Sequence, residues 1–120
     1  MQYAILIHES DDELAARDQP SRSGDYWAAY SAYSKALVDA GIMRGGAGLM
    51  PPRDATTVQV RGGKRQVQDG PYADTKERLG GFYLVEVADL DQALQWAARC
   101  PAASTGSVEV RPVLPPPDLR

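Results

Sequence analysis

The nine residues from Asp69 to Glu77 hold the densest group of chemically capable side chains in this sequence. They read Asp-Gly-Pro-Tyr-Ala-Asp-Thr-Lys-Glu, and Asp-Gly-Pro favours a tight turn. One hypothesis makes Asp69 an acid–base group, with Tyr72, Lys76 and Glu77 binding a polar ligand. A buried, hydrogen-bonded Asp69 would make Asp69→Ala cost about 1–3 kcal/mol. The alternative is a solvated turn in which the carboxylate only satisfies backbone donors.

Two other sets of residues could do chemistry. His8 is the only histidine, and it follows a short apolar run, so it could exchange protons near neutral pH. The alternative is a structural or exposed position at the end of a strand. Arg44, with Tyr30 and Tyr83, could hold a small carboxylate or phenolate. The alternative is that the arginine lies over the edge of the core.

Metal and cofactor chemistry have little support in the sequence. With one histidine and one cysteine, soft metal ligands are scarce, and the acidic residues show no ligand spacing. We therefore predict no metal and no cofactor. Cys100 lies in Ala-Ala-Arg-Cys-Pro at the end of a helical pattern, which indicates a small packing residue. Motifs for serine hydrolysis, dinucleotide binding and zinc hydrolysis are missing from the sequence.

Length and charge narrow the class of protein. A chain of 120 residues predicts one domain. The net charge of −3, with no basic block, argues against nucleic acid as a partner. The longest apolar run, Tyr3 to Ile7, is far shorter than the roughly 20 residues that span a bilayer. A lone cysteine and no visible secretory signal lead us to predict a cytoplasmic protein without membrane association.

The first half of the chain alternates strand and helix patterns. An apolar run at Tyr3–Ile7 predicts a buried strand, and residues 9–24 predict a loop with one helical turn near 12–17. Ile42–Met50 holds three glycines and predicts a kinked or bulged strand. A phosphate-binding loop is the alternative there, but its lysine spacing is missing and prolines 51 and 52 block a following helix. A long helix lies between, with one stripe formed by Tyr26, Tyr30, Tyr33 and Leu37.

The second half adds a hairpin, a strand, a helix and a strand. Gly62 and Gly63 separate two β-type runs, as in a two-residue hairpin. A capping residue at Asp89 begins the second helix. Together the elements predict an α+β, ferredoxin-like split βαβ fold with an antiparallel sheet and an inserted β-hairpin. The remaining predicted segments are a strand at Gly81–Val87, a strand at Val108–Val113 and a proline-rich tail at 115–120.

The predicted strands also suggest a homodimer. Two helices cover only one face of an antiparallel sheet, whereas the central strands carry apolar residues on both faces. A second copy of the chain is the simplest cover for the other face. We therefore expect dimerisation through the face of the sheet that points away from the helices.

A collinear set of segments gives the chain a family resemblance. It resembles the YCII-related proteins of the DGPF subgroup, with Tyr72 where that subgroup usually has Phe. The resemblance implies a ferredoxin-like domain, here residues 1–114, that dimerises as a dimeric α/β barrel. It also implies a bacterial protein, often encoded beside an alternative sigma factor, whose role is largely unassigned. The segments are Met1–Ile7, Gly46–Pro52, Ala55–Val58, Asp69–Tyr72, Thr75–Glu77, Leu79–Leu84, Ala97–Pro101 and Val108–Pro112.

The same resemblance does not supply a catalytic dyad. The wider YCII-related group is suspected of using a His and Asp pair, with the histidine on the first helix. In this chain the corresponding helix has no histidine, and His8 lies on the first strand. Our first hypothesis is a small-molecule-binding homodimer whose ligand is polar or aromatic. The alternatives are a metal-free isomerase or lyase that uses acid–base catalysis, and an interaction module in sigma-factor-linked transcriptional regulation.

Overall fold

Four strands form the main antiparallel sheet of this computed structural model, which describes residues 1–71 and 75–117. The order across the sheet is second, fifth, first and sixth strand, with every neighbouring pair antiparallel. This order is the one that a split βαβ, ferredoxin-like fold requires. The strands are β1 (Gln2–Ser10), β2 (Met43–Gly48), β3 (Thr56–Arg61), β4 (Lys64–Asp69), β5 (Glu77–Glu86) and β6 (Ser107–Pro112), and the helices are α1 (Asp11–Ala15), α2 (Ser23–Asp39), α3 (Leu90–Ala98) and α4 (Ala102–Thr105).

The central strand β1 alternates between a buried and a half-buried face. Its odd-numbered residues from Tyr3 to Glu9 are buried beneath the helices, and Val85 of β5 joins the same core. The prediction that residues 9–24 form a loop is wrong at both ends, because Glu9 and Ser10 belong to β1 and Ser23 and Gly24 belong to α2. Pairing with β5 continues to Ser10, so Glu9 belongs to β1 and its side chain lies on the buried face of that strand.

The long helix α2 covers that buried face. Tyr33 and Leu37 are buried against the sheet, as the stripe on this helix predicts. The helix ends at Asp39, and Gly41 just beyond its cap has a φ of +73°, which is readily adopted only by glycine. The predicted helical turn near 12–17 is present as α1, followed by a short 3-10 turn at Ala16–Asp18. The end of β1, the 3-10 turn and the start of α2 place Glu9, Arg17 and Tyr26 close together.

The glycine-rich strand β2 lies at the edge of the sheet beside β5. Its register shifts between Met43 and Gly45, which confirms the predicted bulge. A β-carbon at Gly46 would lie 2.7 Å from the carbonyl oxygen of Phe82, so the two backbones approach each other very closely there. The lack of side chains leaves open space above this part of the sheet.

The hairpin of β3 and β4 stands apart from the main sheet. Gly62 and Gly63 both have positive φ, as in the predicted two-residue turn. Three valines of the hairpin are largely exposed, Val58 by 59%. The radius of gyration is 16.4 Å, against about 14 Å for a compact domain of this length. The hairpin is therefore an arm that extends from a flat molecule.

The second helical layer consists of α3 and α4. Asp89 accepts a hydrogen bond from the backbone of Gln92 at 2.9 Å, which confirms the predicted cap. Leu94 on α3 is 48% exposed and lies outside the core. Within residues 1–71 and 75–117, no helix combines the length and apolar character needed to cross a bilayer.

Candidate functional site

Glu9 is the buried carboxylate of this fold. Its side chain is 2% exposed, and it lies at the end of β1 beneath α2. The hydroxyl of Tyr26 donates to Oε1 at 2.7 Å, and the hydroxyl of Tyr30 donates to the same oxygen at 3.2 Å. Among the described residues, Oε2 of Glu9 accepts no hydrogen bond. The carboxylate is therefore held through one of its oxygens by two phenols.

Arg17 lies on the other side of the Tyr26 hydroxyl. Its Nε donates to that hydroxyl at 3.0 Å, and its guanidinium lies 5.6 Å from the centre of the Tyr26 ring. Nη1 donates to the carbonyl of Leu49 at 2.5 Å, and Nη2 donates to the carbonyl of Gly80 at 2.9 Å. Each terminal nitrogen carries two N–H groups, so within the described chain each keeps one that is not used.

Gly80 makes this arrangement possible. A β-carbon there would lie 3.1 Å from Nη2 of Arg17 and 3.4 Å from Oε1 of Glu9. Any larger residue would press against the guanidinium and the carboxylate. The backbone of β5 can therefore approach both charged groups only because position 80 has no side chain.

A cavity of about 690 Å³ opens between α2, β2 and the end of β5. Aromatic rings form much of its wall, and Trp27 lies edge-on to Tyr26 with ring centres 5.0 Å apart. The hydroxyl of Tyr83 lies 2.6 Å from Oγ of Ser34, which fixes the far wall. The lining residues include Glu9, Arg17, Trp27, Tyr30, Gly48 and Tyr83.

The tyrosines of this cavity stay neutral over the whole physiological range. Burial raises the pKa of Tyr26 to about 12; the Arg17 hydrogen bond opposes the shift and the hydrogen bond and charge of Glu9 add to it. Burial and the nearby charge of Glu9 raise the pKa of Tyr30 far above its ordinary value. Burial also raises the pKa of Tyr83. These hydroxyls can therefore donate to an anion at neutral pH.

His8, Lys76 and Glu77 line a second, outer space. This cleft, of about 1050 Å³, lies between neighbouring ends of β1, β5 and β6 and the base of the hairpin. Nε2 of His8 is 3.5 Å from a carboxylate oxygen of Glu109. Ser107 donates a hydrogen bond to Glu77 at 2.8 Å, whereas Lys76 is exposed. The structure thus brings these three predicted residues together on the face away from Glu9.

The other predicted residues are scattered. Asp69 is exposed at the end of β4 and does not line the outer cleft, so the expected buried Asp69 is not found. Arg44 is exposed and donates to the carbonyls of Gly41 and Met43. It therefore lies apart from the cavity that Tyr30 and Tyr83 share. Tyr72 lies outside the described residues. The assignment of these residues to a functional site stays a prediction.

Sequence reasoning missed Glu9, Arg17 and Tyr26. The missed signal was the period of two along β1, which places residue 9 on the same face as Ile5 and Ile7. A charged residue on that face requires donors, and the tyrosine stripe of α2 supplies them. Within residues 1–71 and 75–117, no three His, Cys, Asp or Glu residues lie close enough to hold a metal ion.

Fold and cavity together define an α+β protein of ferredoxin-like topology with a ligand-sized space between its sheet and its longest helix. A family model for the YCII-related domain matches residues 1–116, and the chain belongs to that family. An uncharacterised protein of Rhizobium meliloti (strain 1021) is 38% identical over 115 residues, which cover 94% of this chain and 92% of the relative.

A solved structure shares the fold at lower similarity. It is 5-chloro-2-hydroxyhydroquinone dehydrochlorinase from Burkholderia phenoliruptrix AC1100, with a TM-score of 0.54 and 18% identity. The similar region covers 95% of this chain and 94% of that chain. At this identity the likeness concerns the fold alone.

Proposed function

We propose that this protein binds a small aromatic molecule with hydroxyl groups in the cavity beneath α2. The observation that carries the proposal is the buried carboxylate of Glu9, which has one oxygen held by two phenols and the other without a partner in the described chain. A buried anion is costly unless its oxygens find donors. A ligand hydroxyl would supply the missing donor.

The walls favour a flat, apolar ring. Rings of Trp27, Tyr30 and Tyr83 line a space of about 690 Å³, and ligand cavities commonly measure about 300–1,000 Å³. Gly48 pairs with Gly81 across the strands, and no atom lies within 4 Å of a β-carbon built at Gly48. A planar ring could lie against this exposed backbone.

The polar groups favour a ligand with oxygens at two positions. Oε2 of Glu9 can accept a hydroxyl proton, and the unused N–H groups of Arg17 can donate to a second oxygen. The dehydrochlorinase of similar fold is in complex with 2,5-dihydroxybenzoquinone, so one protein of this topology holds a flat one-ring molecule with hydroxyl groups. Its low identity transfers no residue role to this chain.

Binding can be tested with resorcinol, followed by the fluorescence of Trp27 in a Trp96→Phe background. We expect saturable quenching by resorcinol and binding at least tenfold weaker for 1,3-dimethoxybenzene, which cannot donate to Glu9. The variant Gly48→Val extends a side chain into the cavity and should weaken resorcinol binding at least tenfold. Gly24→Ala, on α2 with open space around it, is the matched control. Absence of quenching, or equal binding by both ring compounds, would contradict the proposal.

The proposal includes a homodimer formed through the face of the main sheet away from the helices, as in a dimeric α/β barrel. Leu6, Phe82 and Leu84 are only half-buried on that face of one chain. The hairpin arm also carries exposed valines, and a two-stranded hairpin is barely stable alone. Both features are explained if a second copy covers the sheet and supports the arm.

Light scattering after size exclusion tests the dimer. We expect twice the chain mass for the wild-type protein at micromolar concentration and a shift to monomer for Leu84→Lys. Leu94→Lys, an exposed position on α3, should leave the dimer intact. A monomeric wild type, or a dimer that only the Leu94 substitution disrupts, would argue for another assembly.

Several finer expectations stay predictions. They are membership of the DGPF subgroup, a cytoplasmic location, and the absence of nucleic acid, metal and cofactor from its function. The division at residue 114 into domain and tail is another, and the role in sigma-factor-linked regulation is an alternative that no contact in the described chain favours.

A further inference from the structure

We propose that the cavity beneath α2 also catalyses a proton transfer, the conversion of an enol into its carbonyl tautomer, on a planar one-ring substrate. Glu9 is the base that carries the proton. This inference rests on the proposed binding function, because the same cavity must first hold the ring. It goes beyond that function by assigning a reaction class and a role to each charged group.

The geometry of Glu9 suits a base. Both phenol hydrogen bonds reach Oε1, at 2.7 and 3.2 Å, so the carboxylate is held in one orientation. Glu9 lines the cavity, and Oε2 is its oxygen without a donor among the described residues. A base fixed by its surroundings needs no rearrangement when the proton moves.

No other residue of the cavity can take that role near neutral pH. Of the described residues that line it, only Glu9 is an Asp, Glu, His or Lys. The tyrosine hydroxyls hold their protons, and arginine does not lose its own. Among the described residues that line the cavity, Glu9 is therefore the single group that can accept and return a proton.

Arg17 supplies the complementary charge. Removing the enol proton leaves negative charge on the substrate oxygen, which needs donors in fixed positions. The carbonyls of Leu49 and Gly80 hold the two terminal nitrogens of Arg17, and each nitrogen keeps one unused N–H within the described chain. The guanidinium is therefore preorganised for an oxyanion placed beside Glu9, with the Tyr26 hydroxyl between the two charged groups.

The proposed step conserves protons and electrons. Glu9 takes the hydroxyl proton from the enol, and the O–H bond breaks to leave an enolate stabilised by Arg17. The protonated carboxyl then gives the same proton to the neighbouring carbon, where the electrons of the breaking C=C π bond form the C–H bond and an oxygen lone pair completes the C=O bond. No electron is gained or lost, so the reaction needs no oxidant, reductant or second substrate.

The test follows the ultraviolet absorbance of the enol of phenylpyruvate as it converts to the keto form. We expect the wild-type protein to accelerate the conversion at least 100-fold over buffer at the same pH. Glu9→Gln should lose at least 50-fold of that acceleration at saturating enol, a larger loss than the roughly tenfold weakening of resorcinol binding expected when Oε2 is lost as an acceptor. Glu86→Gln, at the opposite end of the β1–β5 ladder, should keep full activity.

Gly48→Val is the second variant, and it tests the proposal should Glu9→Gln not fold. It leaves Glu9 in place and should lose conversion and resorcinol binding together. Conversion that survives in Gly48→Val or in folded Glu9→Gln overturns the assignment of the reaction to this cavity. Resorcinol binding without acceleration overturns the reaction and leaves the binding function standing. Absence of both overturns the two proposals together.

Discussion

The cavity beneath α2 and the outer cleft at the base of the hairpin differ in how they hold their charges. In the cavity, Glu9 is enclosed and accepts two hydrogen bonds, and Arg17 is anchored by two carbonyls. In the cleft, Lys76 is exposed and His8 only approaches Glu109 at 3.5 Å. Enclosed charges interact strongly because water does not screen them, whereas exposed pairs contribute little.

The difference shows that charge density along the sequence is a poor guide to a site. The segment from Asp69 to Glu77 concentrates charges within nine residues, and most of its described side chains meet solvent. The cavity draws one charged residue from the end of β1 and one from the short 3-10 turn. Substitutions in the two regions should therefore have unequal effects on stability.

Gly81→Ala should have the largest effect, a loss of about 3 kcal/mol in the free energy of unfolding, because a rigid backbone contact must move. Its added β-carbon would lie 2.8 Å from the carbonyl oxygen of Ala47. Its partner across the strands, Gly48, has open space, so Gly48→Ala should change stability by less than about 1 kcal/mol. Urea unfolding measures both free energies, and similar values would show that the backbone contact between Gly81 and Ala47 is not rigid.

Glu9→Ala should cost about 2 kcal/mol, since it removes the acceptor of two buried phenols. The matched substitution in the outer region, Asp69→Ala, should cost less than about 0.5 kcal/mol, because that side chain is exposed. Chemical denaturation of both variants, fitted with one common dependence of unfolding free energy on denaturant, gives the two losses of stability. Equal losses would remove the contrast between the regions.

Alkaline pH should weaken the cavity. The pKa of Tyr26 is about 12 in the folded protein, against about 10 in an unfolded chain. Its stabilising contribution is therefore complete below pH 10 and is lost between pH 10 and 12, where only the unfolded chain ionises. Melting temperature should fall across this window, and Tyr26→Phe should reduce the fall. An equally steep fall of melting temperature in that variant would show that a group other than Tyr26 causes the effect.

Glu77→Ala should have the smallest measurable effect, about 0.5–1 kcal/mol, because one hydrogen bond from Ser107 is lost. Lys76→Ala should lie within about 0.5 kcal/mol of wild type, as expected for an exposed side chain. Paired thermal melts at the same pH would resolve the two. A larger loss for the lysine variant would indicate that the cleft holds its charges more firmly than the described contacts show.

Local patterns in the sequence determined most of the elements. The tyrosine stripe of α2, the Gly62-Gly63 turn and the cap at Asp89 each depend on residues a few positions apart. Such signals are local physical preferences, so they can be recognised without knowing the rest of the fold. The order of these elements, together with the family resemblance, was enough to predict the split βαβ topology.

Only the tertiary structure decided which charged side chains are enclosed. The end of β1 at Ser10 depends on pairing with β5, nearly 70 residues further along the chain, and that pairing turns Glu9 inward. The anchoring of Arg17 depends on the carbonyls of Leu49 and Gly80, which come from two other parts of the chain. These contacts join residues that are far apart along the chain, so no local spacing of residue types predicts them. For the same reason the charged segment from Asp69 to Glu77 was conspicuous in the sequence, while the enclosed Glu9 was not.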